Sequence, residues 1–339
     1  MSDYELKEKF TKKQRDLSRK SVKPPFPERI KIDICNVCNF SCIFCPQAKQ
    51  YDKIGCIDKE LCYKLIKDAY DAGGRELCLA GTGEPLINSE LEAYVRYAKQ
   101  TGYRYVFINT NGSLLNENRS MRLLEAGIDS VKVSVNSSEN SYELIHGINA
   151  WETVVKNIMK FDALRKGGEY NCRLYISYVA VKQTLKEVDQ MKSVLANYVD
   201  EIIVMNANNR GGSAGEIDND LYIGENEFSF QYPCSQIFNN VYVTAEGYLV
   251  ICCQDFENLT VVADLHKETL AQAWTNECFT KFREKYLKHD LKGTLCQNCL
   301  YHTMETVIPL NVQAAFYKNS DIKRKKLYDR IRQLESSCK

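Results

Sequence analysis

Two hydrophobic periods alternate along the chain. Short runs with apolar residues at every second position fall at 29–34, 76–80, 103–109, 130–135, 173–180 and 201–205, and each reads as a strand. Stretches with apolar residues three or four apart lie between them, near 59–72, 89–99, 116–125, 151–164 and 185–196, and read as amphipathic helices. Gly73, Gly102, Gly127 and Gly167 stand just past four of these helices, where a left-handed closing residue is expected. Strand followed by helix, repeated, predicts an α/β fold: a partial (β/α)6 TIM-like barrel that stops short of eight units.

The pattern changes on both sides of that core. Residues 1–24 form a basic leader segment with helical spacing at Leu6, Phe10 and Leu17, closed by Pro24 and Pro25, so the barrel is expected over 25–215. Residues 239–253 read as a hairpin, with Val241 and Val243 before a turn at Glu246-Gly247 and Leu249 and Ile251 after it. A helix near 270–286 follows, which makes 216–310 a small hairpin-helix domain. The remainder, 311–339, carries IKRKKLYDRIRQL and reads as a solvated basic helix.

Unusual residues concentrate after the strands. The loops there carry a cysteine cluster, Gly81-Thr82-Gly83-Glu84-Pro85, Asn109-Thr110-Asn111-Gly112, Ser134 with Asn136, Gln183, and Asn206, Asn208, Asn209 and Arg210. In a barrel these loops share one face, the face that bears active sites. Asn206, Asn208 and Arg210 are candidate substrate contacts; an ordinary polar turn is the plainer alternative for NANNRGG.

Composition narrows the chemistry. The 339 residues are 44% apolar, and 45 Lys plus Arg against 44 Asp plus Glu leave no global basic field. Nucleic acid and membrane partners are therefore not expected, and a small molecule is. No apolar run is long enough to span a bilayer and the first residues are not a signal peptide, so a cytoplasmic location is expected. Fifteen cysteines in such a compartment point to metal or redox chemistry before disulfides.

Cys38, Cys42 and Cys45 form CxxxCxxC directly after the first strand. Three thiolates leave one position open on a four-iron cluster, whereas a zinc knuckle would need Cys35 as a fourth ligand. Cys35 itself is unassigned, and Cys56, Cys62, Cys78, Cys172 and Cys278 read as small apolar packing residues. A second group, Cys234, Cys252, Cys253, Cys296 and Cys299, surrounds the hairpin and ends in CxxC, which taken alone also fits a zinc ribbon.

CxxxCxxC after the first strand of a partial barrel resembles the radical S-adenosylmethionine (radical SAM) enzymes. The resemblance spans about residues 25–205. It implies a [4Fe-4S] cluster on Cys38, Cys42 and Cys45, with S-adenosylmethionine at the open iron. Phe44 matches the aromatic position near the adenine. Thr82-Gly83-Glu84-Pro85 is similar to the family's GGEP motif at the methionyl amino group, with Thr82 replacing its first glycine. Asn111, Ser134 and Asn136 match positions near the ribose or the methionyl carboxylate. An external electron donor such as flavodoxin or ferredoxin is implied.

The second cysteine group resembles the auxiliary-cluster extension called SPASM, or Twitch in its single-cluster form. That implies a second [4Fe-4S] cluster on Cys234, Cys252, Cys296 and Cys299, with Gly247 spaced from Cys252 as in the extension and Cys253 left over. The layout is similar to that of 2-deoxy-scyllo-inosamine dehydrogenases, which implies oxidation of a sugar, aminocyclitol or polyol alcohol to a ketone, the auxiliary cluster accepting an electron. Three alternatives stand beside it: an epimerase with Cys253 as hydrogen donor, a peptide-modifying enzyme, and an iron-sulfur scaffold or electron carrier without catalysis.

Overall fold

The computed structural model describes residues 20–49, 55–207, 209–212, 221, 234–301, 303 and 305–315. Most of the leader segment, Asn208 and most of the C-terminal basic stretch lie outside the described residues.

Six parallel strands alternate with helices: β1 (Arg29–Ile32), α1 (Lys59–Asp71), β2 (Glu76–Cys78), α2 (Leu91–Thr101), β3 (Tyr105–Thr110), α3 (Glu117–Glu125), β4 (Ser130–Ser134), α4 (Tyr142–His146), α5 (Trp151–Gly167), β5 (Arg173–Ala180), α6 (Val188–Leu195) and β6 (Glu201–Asn206). There follow α7 (Gln236–Asn239), β7 (Asn240–Val243), β8 (Tyr248–Val250), β9 (Val261–Asp264), α8 (Leu270–Trp274), α9 (Glu277–Leu287) and α10 (Leu295–Tyr301). All nine strands join one open sheet in the order β6-β5-β4-β3-β2-β1-β7-β8-β9. The hairpin is thus continuous with the barrel, because β7 pairs parallel with β1, Lys31 opposite Tyr242. Beyond β7 the pairing turns antiparallel.

Alternation decides which face each strand residue takes. Ile30, Ile32, Leu77, Val106, Ile108, Val131, Val133, Leu174 and Ile176 are buried in the main core, which they share with helix residues such as Leu65, Val95, Leu123 and Ile158. The residues between them, among them Lys31, Cys78, Lys132, Tyr105 and Tyr175, face the other way. That second face is concave. The loop after β6, at one edge of the sheet, reaches elements beyond the other: Asn209 Nδ2 donates to Asn298 O on α10 at 2.8 Å, and Arg210 Nη1 donates to Gln254 Oε1 at 3.2 Å.

The helix ends mostly follow the glycines. Gly73, Gly102 and Gly127 adopt φ of 119°, 113° and 86° just past their helices. Gly167 departs from expectation: it is the last residue of α5, Gly168 closes the helix at φ −94°, and Glu169 takes the left-handed turn at φ 54°. The helix expected over 270–286 is two helices. Asn276 interrupts it by capping α9, its Oδ1 accepting from Phe279 N at 2.9 Å, so the run breaks after Trp274. Arg283 on α9 is buried across this corner, stacking 4.2 Å from the Trp274 ring centre and donating to Trp274 O at 2.7 Å and Ile237 O at 3.1 Å. Residues before β1 pack here too, Pro24 O accepting from Trp274 Nε1 at 2.9 Å.

Candidate active site and auxiliary metal centre

The loop leaving β1 is shaped by backbone contact with the glycine loop after β2. A Cβ on Gly83 would sit 2.4 Å from Cys35 O and 2.3 Å from Val37 O, and one on Gly81 would sit 2.0 Å from Asp33 Cγ. Only bare backbone allows that approach. Thr82 is held by the same loop: its N and Oγ1 donate to Asp33 Oδ2 at 2.7 and 2.6 Å. The hydroxyl thus makes a bond that a glycine could not, which accounts for threonine here.

Glu84 is buried and ties the next loop down. Its Oε1 accepts from Thr110 Oγ1 at 2.6 Å and Leu86 N at 3.0 Å, and its Oε2 accepts from Asn111 N at 2.7 Å. Burial pushes its carboxyl above the ordinary carboxylate range, and these three hydrogen bonds oppose the shift. Oε2 keeps acceptor capacity for an amino group. Asn111 comes to the cysteines: its Nδ2 donates to Asn39 Oδ1 at 2.8 Å and lies 3.9 Å from Cys38 Sγ, which also accepts from Phe40 N at 3.4 Å. Burial pushes the Cys38 thiol up to about 12.

The remaining expected cofactor positions lie along the same rim. Phe44 packs against a small apolar cluster of Ile43, Ile145, Val181, Ala207 and Leu221 at the ends of β5 and β6. Ser134 Oγ lies 3.2 Å from Ser177 Oγ, and Asn136 Oδ1 accepts from Val179 N at 2.8 Å. Asn136 therefore spends one side-chain acceptor on the neighbouring strand. Asn206 ends β6, and Arg210 turns toward Gln254 at the auxiliary end.

Two contacts were not readable from sequence. His146, buried on α4, places Nδ1 3.3 Å from Cys42 Sγ and accepts from Asn136 N at Nε2, 3.3 Å away. The short helix carrying it gives no periodic signal, and a lone histidine a hundred positions from the cysteines offers none either. Cys35 and Cys56 form an isolated antiparallel bridge with sulfurs 3.2 Å apart. Cys56 and, on α9, Cys278 are exposed, which corrects their expected roles as packing residues; Cys62 and Cys172 are in the core. Cys78 is buried too, but on the concave face with Ala80 and Phe107.

Cys234, Cys252, Cys296 and Cys299 line one small cavity with Ile237, Gln254, Tyr286, Leu295 and Leu300. Cys253 is not among its walls; it packs with Tyr242, Val250, Val261 and Ala314. Burial pushes Cys234 up to about 11 and Cys299 to about 12, so binding a metal there must displace thiol protons. Four sulfur donors in a largely apolar wall suit a cluster or zinc and do not suit hard cations. As the side chains stand, no three His, Cys, Asp or Glu side chains among the described residues converge on one point, so neither cysteine set is a preformed cage. The donor chemistry and the close backbone cradle at Gly81 and Gly83 fit the expected groups.

Comparison with known proteins agrees. Residues 32–193 match the radical SAM superfamily and residues 234–300 match SPASM, an iron-sulfur cluster-binding domain. A "Probable GTP 3',8-cyclase" of Saccharolobus islandicus is 34% identical over 132 residues, 39% of this chain and 42% of the relative. One of Sulfurisphaera tokodaii is 28% identical over 165 residues, 48% of this chain and 50% of the relative, so the chain spans at most about half of these relatives. In fold it is similar to BtrN in complex with AdoMet and 2-DOIA (TM-score 0.54, 21% identity, 83% of this chain and 96% of that one). It is similar also to Streptococcus suis SuiB bound to precursor peptide SuiA (TM-score 0.61, 16% identity, 77% and 67%). The chain thus carries a radical SAM domain over residues 32–193 and a SPASM domain over residues 234–300, a pairing that implies [4Fe-4S] clusters and S-adenosylmethionine as cofactors.

Proposed function

We propose that the protein is a radical SAM oxidoreductase that oxidises a secondary alcohol of a sugar, aminocyclitol or polyol to a ketone. The observation that carries this reading is the cavity walled by Cys234, Cys252, Cys296 and Cys299, next to the hydrogen bond that joins Gln254 to Arg210 on the loop after β6. Four thiolates leave a cluster no open iron, so its role is to pass electrons rather than to bind substrate. An oxidation needs such an acceptor after hydrogen removal, and a redox-neutral rearrangement does not.

When bound at Cys38, Cys42 and Cys45, the reduced cluster and S-adenosylmethionine supply a 5′-deoxyadenosyl radical that abstracts hydrogen from carbon. The chain's residues do the holding. Glu84 and the backbone of Thr82 and Gly83 receive the methionyl amino group, Phe44 flanks the adenine, and Asn111, Ser134 and Asn136 border the ribose and carboxylate. Asn206 and Arg210, on the loop after β6, are the described candidates for substrate contact, and flavodoxin or ferredoxin delivers the electron. No described helix is long and apolar enough to cross a membrane, which fits a cytoplasmic partner of that kind.

A second reading is epimerisation. Cys253 favours it, since this thiol stands outside the cluster cavity and within electrostatic reach of Lys31 on the concave face.

Both readings are separated by anaerobic incubation with dithionite, S-adenosylmethionine and a panel of polyols, peptides and GTP in deuterated water. A product two mass units lighter than its alcohol supports oxidation. Solvent deuterium in an otherwise isobaric product supports epimerisation instead, and turnover of GTP or a peptide alone overturns the polyol assignment.

A further inference from the structure

Asn36 stands between Cys35 and Cys38 and engages every polar group it has. Its N donates to Gly55 O at 2.9 Å, and its Oδ1 accepts from Gly55 N at 3.0 Å. Its carbonyl accepts from Gln47 Nε2 at 2.6 Å, which ties it to the chain just past Cys45. The remaining group, Nδ2, donates to Glu246 Oε1. Asn36 is 1% exposed, so its amide has no water to turn to if that carboxylate withdraws.

Glu246 comes from the auxiliary domain. It lies in the turn between β7 and β8, and its Oε2 accepts from Asn258 Nδ2 at 3.3 Å. The turn is braced against the barrel. Gly247 takes φ 84°, a Cβ there would sit 2.7 Å from Leu61 Cδ2 on α1, and Leu265 N donates to Gly247 O at 2.9 Å. The carboxylate is therefore delivered to Asn36 from a fixed point.

The same stretch of backbone meets the glycine loop after β2. Cys35 O and Val37 O, on either side of Asn36, are the atoms that leave no room for a side chain at Gly83. Val37 O also accepts from Glu84 N at 2.8 Å. A shift of Asn36 is passed directly to Glu84.

We propose that Glu246 is a positioning residue for the radical site: through Asn36 it holds the cluster loop and the Glu84 loop in register, so that the auxiliary domain sets how tightly S-adenosylmethionine is bound. This rests on the radical SAM reading of the loop that bears Cys38, Cys42 and Cys45. Glu246 acts through Asn36 and not by contact with the cofactor.

The test exchanges the two partners. Asn36→Asp sets two carboxylates against each other while keeping an oxygen for Gly55 N. Adding Glu246→Gln restores one donor and one acceptor in reverse, with the glutamine oxygen left for Asn258 Nδ2. Glu246→Ala removes the tie without touching the cluster loop, and reads it independently of whether Asn36→Asp folds. In the full chain, reconstituted anaerobically and reduced, S-adenosylmethionine is titrated against the change it causes in the cluster's electron paramagnetic resonance signal. Asn36→Asp and Glu246→Ala are expected to weaken binding by roughly tenfold, and the double variant to return to within about twofold of the wild type. Unchanged affinity in Glu246→Ala, or a double variant that binds no better than Asn36→Asp, overturns the proposal. Amide exchange at Gly55 and Ile57 is followed in the same variants without cluster. It is expected to quicken roughly tenfold when the tie is broken and to recover in the double variant. A wild type that gives no response to S-adenosylmethionine would count against the radical reading, while the exchange rates decide whether Glu246 holds the loop.

Discussion

His146 Nδ1 lies 3.3 Å from Cys42 Sγ, while its Nε2 accepts from the Asn136 backbone N–H. Because Nε2 is an acceptor, the proton of the neutral ring is on Nδ1 and points at the sulfur. Outer-shell donors of this kind are typically worth ten- to a hundredfold in metal-site function. His146→Phe, which keeps the ring volume, is expected to slow reductive cleavage of S-adenosylmethionine by roughly that factor and to shift the cluster's reduction potential. Voltammetry or dye titration reads the shift, and an unchanged potential removes His146 from the site.

Lys132 is held down at about 8, first by burial and then by the cations around it, Cys78 opposing them. Its folded pKa is below the unfolded value, so below about 8 both states carry the proton and the folded state bears the full penalty. Between about 8 and the ordinary lysine value of 10.5 the folded state sheds its proton first, and stability rises with pH. Lys132→Met is therefore expected to stabilise the ligand-free protein by up to about 3 kcal/mol at pH 7, with the gain shrinking above pH 8. Urea unfolding at pH 7 and pH 10 tests the sign.

The two adjacent cysteines at the end of the hairpin should behave differently. Cys252 lines the cavity and Cys253 does not. Reconstituted protein is expected to hold about eight irons, Cys252→Ser about four, and Cys253→Ser about eight. Iron analysis with both variants decides the ligand; equal losses would mean that the two thiols substitute for one another.

Cys35 and Cys56 sit across an antiparallel bridge flanked by the bonds Asn36 N to Gly55 O at 2.9 Å and Ile57 N to Ile34 O at 3.1 Å. Such a non-hydrogen-bonded pair brings side chains close. Treating cluster-free protein with oxidised glutathione should join the two sulfurs, releasing reduced glutathione, and peptide mapping should find that linkage before any involving buried Cys62 or Cys172. Cys56→Ser abolishes it.

Glu84→Gln keeps the shape but gives up one carboxylate oxygen as an acceptor, so either Asn111 N or the Thr110 and Leu86 donors lose a partner. The loop bearing Asn111 should loosen, and S-adenosylmethionine binding should weaken by roughly tenfold or more in calorimetry.

Much of this was legible in the sequence where a physical period writes itself into residue choice. All six barrel strands lie where alternation put them, and the cysteine and glycine loops do meet. What could not be read has definite causes. Lys31 and Lys132 alternate with Ile and Val just as solvent-facing residues do, because a polar interior and bulk water leave the same imprint on a strand. β9 is four residues long, and α8 and α9 share one apolar stripe until Asn276 breaks it. The choice between Cys252 and Cys253 needed the third dimension, since both sit at the same point in the chain.

The parallel pairing of β1 with β7 acts as a ruler. Cys38, Cys42 and Cys45 follow the end of β1, whereas Cys252 follows β8, whose antiparallel run returns toward the level where β1 begins. The point where the chain leaves β1 toward Cys38 and the level to which β8 returns before Cys252 are thereby separated along the strands by about the length of one short strand, roughly 13 Å for four residues. That interval is counted in peptide units and is indifferent to side-chain substitution. One residue inserted into β1 would lengthen it by roughly 3 Å and turn Lys31 and its neighbours to the opposite face.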